Sequence, residues 1–113
     1  GTRMDHTITN IGNMKVVADC GKDCHIVDEH NYIYLLSEAD GIHIIRKDSQ
    51  YGRYVSIIPM SENVSLSLEG FKYTLDNYKL KQGLSICQSN EVEDEQGIIK
   101  VHKGLIIVLE TKD

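Results

Sequence analysis

The feature that most constrains this chain is a period of two. In "VSLSLE" Val64, Leu66 and Leu68 alternate with Ser65, Ser67 and Glu69. Successive side chains on a pleated backbone point to opposite sides, so this is a strand with one buried and one wet face. The alternation resumes with Phe71, Tyr73 and Leu75 after Glu69-Gly70, and with Tyr78 and Leu80 after Asp76-Asn77. It resumes again with Leu84 and Ile86 after Gln82-Gly83. Short breaks rich in Gly, Asn and Asp between alternating runs favour hairpins, so residues 64–88 are expected to form an antiparallel meander. Leu68, Phe71, Leu75 and Tyr78 also fall at helical spacing. Gly70, Thr74, Asn77 and two tyrosines are poor helix formers, and strands are the expectation.

The remaining apolar runs, among them "MKVVA", "YIYLL", "IHIIR", "YVSIIPM" and "GIIKV", are β-branched or aromatic, types that suit a pleated, partly buried surface. "LIIVL" at 105–109 is apolar on both faces, which predicts a central strand covered twice. Pro59 cannot donate to a ladder and belongs at a strand end or sheet edge. Turn signals recur every ~8–12 residues, which predicts an all-β fold, a single antiparallel sandwich or partly open barrel of about 8–10 short strands. Its expected core is Val16, Ala18, Ile26, Ile33, Leu35, Ile42, Ile44, Val55, Ile57, Leu66, Leu68, Leu75, Ile86, Ile98, Ile106 and Val108. Residues 1–13 read as an N-terminal extension or tag-derived segment, and residues 14–113 as the single all-β domain.

Charge excludes some functions. The chain has 17 acidic and 12 basic residues and a net charge of −5. That is the wrong sign for a general nucleic-acid binder, which displaces counterions with Lys and Arg, or for an anionic membrane surface. No apolar run approaches the ~18 residues of a spanning helix, and the N-terminus lacks a signal-peptide core. Three cysteines, an odd number, fit reduced thiols and a cytoplasmic protein.

"ADCGKDCHIVDEH" at 18–30 is the stretch densest in chemical groups. If it is a hairpin turning at Gly21-Lys22-Asp23, Cys20 and Cys24 face each other across the ladder at a separation suited to a disulfide or to two ligands of one metal. His30 could supply a third ligand, with Cys87 or His43 completing a tetrahedron. The spacing is not that of paired zinc motifs, so no cofactor is expected and the thiols are expected to be free. Zinc bound by Cys20, Cys24 and His30, in a metal- or ligand-binding sensor, is the alternative.

Generic catalytic signatures are missing: no nucleophile elbow, phosphate loop, His-Glu-x-x-His or dinucleotide fingerprint occurs. Asp28-Glu29-His30 and His102-Lys103 read as solvated turns. "YIY" at 32–34 and "FKY" at 71–73 each place two rings on one strand face, which fits core or edge packing better than a base-stacking platform. These observations predict a non-catalytic protein-binding module: an inhibitor, an immunity- or antitoxin-like protein, or an assembly piece. A small hydrolase is the remote alternative. The candidate contact residues are the acidic Glu91, Glu93, Asp94 and Glu95 and the basic Lys72 and Lys79. Opposed patches of this kind would steer a protein partner and also allow a homodimer.

Overall fold

The computed structural model describes residues 25–27, 29–80 and 87–112. Nine strands are found among them: β1 (His25–Val27), β2 (Asn31–Ser37), β3 (Ile42–Arg46), β4 (Tyr54–Pro59), β5 (Val64–Glu69), β6 (Leu75–Leu80), β7 (Cys87–Glu91), β8 (Gln96–Lys103) and β9 (Leu105–Thr111). They form two antiparallel sheets, ordered β1-β2-β9-β4-β7 and β3-β8-β5-β6. The fold is the expected all-β sandwich.

The sheets pack face to face through the alternate residues of each strand. In the five-stranded sheet Tyr34 and Leu36 of β2 pair with Val108 and Ile106 of β9, which pair in turn with Ile57 and Pro59 of β4. The four-stranded sheet presents Val64, Leu66 and Leu68 of β5 with Ile99 and Val101 of β8, all nearly inaccessible to water. A hydrogen bond of 2.9 Å between the Tyr34 hydroxyl and His43 Nε2 links β2 to β3 across the layers. Each fully buried Leu or Ile here contributes roughly 1.5–3 kcal/mol. Ile33, Ile107 and Leu109 point away from this interface and are also buried. β9 is therefore covered on both faces, as "LIIVL" predicts, and Pro59 closes β4.

Two expectations need correction. The first concerns parity: Ile42 and Ile44 are 58% and 45% exposed, whereas His43 and Ile45 face inward. On β8, Ile99 is buried and Ile98 only half-buried. A period of two leaves two possible faces, and "IHII" and "GII" carry apolar residues on both, so the wrong one was expected inside. Leu35 and Leu75 are half-buried, Val16, Ala18 and Ile86 lie outside the described residues, and Ile26 lies in β1.

The second concerns the meander. β5 and β6 pair as a hairpin, but β7 joins the other sheet beside β4. Residues 71–74 form the connection between β5 and β6, and Asp76-Asn77, expected as a turn, lies inside β6. There Ser67 opposes two residues instead of one, a β-bulge in which Asn77 takes φ 46° and its N–H donates to Ser67 Oγ at 2.8 Å.

The acidic segment "EVEDEQ" at 91–96 is held in place by the fold. Val92 is buried and bridges Phe71, and the N–H groups of Glu93 and Asp94 donate to the Gly70 carbonyl at 2.8 and 3.1 Å. The segment is a pinned turn with three exposed carboxylates.

Candidate functional site

The sandwich has two open sides, and each gathers polar chemistry. On the side of β6 and β7, Asn90 is 97% removed from solvent, at 3% exposure. Its Oδ1 accepts the Tyr73 N–H at 3.0 Å and its Nδ2 donates to the Tyr73 carbonyl at 2.8 Å. The same Oδ1 accepts the Glu91 N–H at 2.9 Å. One buried amide thus satisfies three backbone groups and fixes the peptide of an aromatic residue whose ring is 61% exposed. Ser89, just before Asn90, takes φ 53°, and its N–H donates to Ser56 Oγ at 2.9 Å. A non-glycine residue there costs of order 1–3 kcal/mol, and such strain concentrates at functional sites. Arg53 Nε donates to Glu91 Oε1 at 2.7 Å, and this bond holds the Glu91 carboxyl below the usual carboxylate range. Lys72 Nζ lies 5.6 Å from the centre of the Tyr73 ring. The arrangement is a rigidly held, solvent-facing aromatic plate beside a carboxylate and two cations.

Gly70 sets the chain direction into this corner. Its φ is +75°, and a Cβ there would run into the Gln96 carbonyl, so the turn before Phe71 requires glycine. Phe71 is buried at 3% exposure, and two residues on Tyr73 faces solvent.

The other open side lies between β1 and β2 of one sheet and β3 of the other, where a groove of about 530 Å³ opens. Its inner wall is the last row of the inter-sheet core, where Tyr32 pairs with Glu110 and Glu110 with Val55. Glu110 therefore occupies a core-facing position on the central strand and is only 5% exposed. Its Oε1 accepts the Tyr51 N–H at 3.2 Å. The rings of Tyr32 and Tyr34 lie 4.9 Å apart and those of Tyr32 and Tyr51 5.9 Å apart. Burial, and then the charge and hydrogen bond of Glu110, push the Tyr34 hydroxyl far above the ordinary tyrosine range. Tyr32 shifts upward for the same first two reasons.

Of the residues singled out from sequence, Cys20 and Cys24 lie outside the described residues. His30 is half-buried ahead of β2, and its carbonyl accepts the Lys112 N–H at 2.9 Å. Among the described residues no group of three or more His, Cys, Asp or Glu side chains is placed to hold a metal. Glu91 and Lys72 come together at the Tyr73 corner, where the Lys72 N–H donates to the Glu91 carbonyl at 2.8 Å. Glu93, Asp94 and Glu95 are exposed beside it, and Lys79 is exposed on β6 opposite Ser65. "YIY" does stack two rings on one face, but "FKY" splits into a buried and an exposed ring. Sequence reasoning passed over Asn90, Ser89 and Glu110. The signal for Glu110 was legible, because it continues the inward parity of Ile106 and Val108.

No helix of the described residues is long and apolar enough to cross a membrane. Residues 42–106 match the family model described as "Thiamin pyrophosphokinase, vitamin B1 binding domain". The whole chain is 33% identical to the thiamine pyrophosphokinase of Bacillus subtilis, covering 100% of this chain and 52% of that protein. The crystal structure of a thiamine pyrophosphokinase from Bacillus subtilis superposes with a TM-score of 0.83 over 100% of this chain and 52% of that one, again at 33% identity. That of a thiamin pyrophosphokinase from Geobacillus thermodenitrificans gives 0.79 at 31% identity, over 100% and 51%. The chain spans about half the length of the curated relative it matches. These matches overturn the expected non-catalytic inhibitor, immunity or assembly module: the relatives are named as enzymes, and the matched family is defined by binding a vitamin. The expectation failed because it rested on the absence of generic catalytic motifs, and such an absence carries no information about this family. With its fold, its matched span and its relatives in agreement, the chain belongs to the thiamin pyrophosphokinase family, through that family's vitamin B1 binding domain.

Proposed function

We propose that this chain forms the acceptor side of a thiamine pyrophosphokinase, holding thiamin while a pyrophosphoryl group is transferred to the vitamin's hydroxyl. The observation that carries this reading is the Asn90 clamp on Tyr73, which lies wholly within the matched residues 42–106. Thiamin is flat and carries a positive ring, and the face of an exposed tyrosine attracts such a cation. Lys72 Nζ marks the ring face that a thiazolium would take. The buried amide fixes the backbone from which the ring projects, so binding need not order that segment, which is where preorganisation gains affinity. A cytoplasmic location fits the odd number of cysteines.

Calorimetric titration of thiamin into the 113-residue chain tests the assignment. Tyr73→Phe keeps the ring and should bind as the parent does. Tyr73→Ala should weaken binding about tenfold, the scale of one cation–ring contact out of water. Equal affinity in all three proteins would contradict the assignment.

A further inference from the structure

The groove on the far side from Tyr73 has no part in that reading, and its chemistry is specific. Glu110 is a carboxylate at 5% exposure, yet among the described residues no basic side chain lies within ion-pairing distance of it. Its donors are the Tyr51 N–H and the Tyr34 hydroxyl. Buried charges in folded proteins are paired, because an isolated carboxylate out of water is expensive. An acceptor without a donor lines the same groove: the buried Oε1 of Gln50 meets none among the described residues. Buried polar atoms are nearly always hydrogen-bonded, and an exception calls for a partner. The groove is also lined by the rings of Tyr32, Tyr51 and His43, the apolar side chain of Ile44 and, on the same strand, Arg46.

We infer that this groove is a second ligand site, one that takes an amino-substituted heteroaromatic ring with its N–H edge against Glu110 and Gln50 and its face against Tyr32 or Tyr51. Each half of that chemistry answers an observation: the undonated Gln50 Oε1 and the Glu110 carboxylate without a cation favour N–H donors, and the clustered rings favour a flat partner. The volume of about 530 Å³ suits a ligand of one or two rings. Two sources share the chemistry, the aminopyrimidine of thiamin itself and the base of an adenine nucleotide. The inference stands independently of the vitamin site at Tyr73.

The test is a titration followed by amide NMR with three probes: thiamin, adenosine, and benzyl alcohol as a flat ring without an amino edge. The Tyr51 amide, whose N–H rests on Glu110, reports the groove; the Tyr73 and Asn90 amides report the other side. Thiamin or adenosine should shift the Tyr51 amide, and the stronger of the two identifies the source. Glu110→Gln keeps the shape but removes the charge, and should raise the dissociation constant about tenfold or more, the scale of hydrogen bonds to a charged group. Ile44→Arg places a cation at the exposed wall without touching the core, and should weaken binding by a similar factor even where Glu110→Gln folds poorly. Neither variant should alter shifts at Tyr73 and Asn90, so loss of the vitamin site and loss of the groove site are separate results. The inference is overturned if neither amino ring shifts the Tyr51 amide at millimolar concentration. It is equally overturned if benzyl alcohol binds as tightly as either, or if both variants bind as the parent does.

Discussion

Asn90 grips Tyr73 from both ends of its backbone, accepting its N–H at 3.0 Å and donating to its carbonyl at 2.8 Å. Tyr73 lies in the β5–β6 connection and Asn90 in β7, 17 positions apart, so this side-chain clamp ties that connection to the opposite sheet. The same amide that holds the fold together at this corner also fixes the plate on which the proposed function rests.

Removing that amide should therefore cost stability. Asn90→Ala leaves the Tyr73 N–H and carbonyl and the Glu91 N–H without their partner, and each such group costs about 1–3 kcal/mol when it stays buried. Partial access to water lowers the sum, and a loss of ~2–4 kcal/mol is expected. Asn90→Asp keeps the acceptor but buries a carboxylate with one oxygen facing the Tyr73 carbonyl, so at neutral pH it should cost at least as much as Asn90→Ala. Urea midpoints at constant slope measure both, and a midpoint for Asn90→Ala equal to the parent's would refute the clamp.

Two glycines of similar backbone should respond differently. Gly41 and Gly70 have φ of +69° and +75°. A Cβ at Gly41 meets nothing within 4 Å, whereas one at Gly70 meets the Gln96 backbone. Gly41→Ala should cost only the conformational penalty of its φ 69°, ψ −126° backbone, roughly 1–3 kcal/mol. Gly70→Ala must also displace a strand and should cost several kcal/mol, roughly 3 or more. Thermal denaturation of the pair checks the ordering.

The fold class was legible in sequence because alternation is a backbone property: "VSLSLE" and "LIIVL" could scarcely be anything but a half-wet strand and a central one. What alternation does not carry is parity. "IHIIR" can bury Ile42 and Ile44 or His43 and Ile45, and the choice is made by the Tyr34–His43 bond, a contact between distant segments. The candidate site was harder still. Asn90 and Ser89 sit in "CQSNEVEDE", which reads as polar surface, and only the crossing of β7 to the second sheet brings Asn90 under Tyr73. Glu91 and Lys72 were legible as surface charge, but their meeting at one corner was not.

Tyr34 makes stability depend on alkaline pH. Its hydroxyl titrates far above the ordinary range when folded, chiefly through burial and then through Glu110. The unfolded chain releases that proton near pH ~10. The contribution is whole below that value and is lost as pH rises above it, with a slope approaching ~1.4 kcal/mol per pH unit. Tyr34→Phe lacks the hydroxyl, so the parent's advantage in urea midpoint over this variant should shrink between about pH 9 and pH 11. The remaining tyrosines are common to both proteins and cancel. An advantage independent of pH would contradict the burial of an uncharged hydroxyl.

Arg53 and Glu91 set an acid-side counterpart. The Arg53 hydrogen bond, ahead of all other causes, lowers the Glu91 pKa. A depressed carboxyl favours the folded state above the unfolded carboxylate range, and that effect disappears as pH falls through the folded value. Arg53→Ala should move the Glu91 titration upward, read from its side-chain carboxyl carbon by NMR. An unmoved midpoint would show that the pair does not form in solution.

The most direct test of the central claim is where thiamin touches this chain. Amide NMR during a thiamin titration should show saturable shifts at Tyr73, Ser89, Asn90 and Glu91, and in Tyr73→Ala these should need about tenfold more thiamin to saturate while the rest of the spectrum keeps its folded dispersion. Shifts that leave those four amides unmoved at saturating thiamin would contradict the assignment of the vitamin to the Tyr73–Asn90 corner.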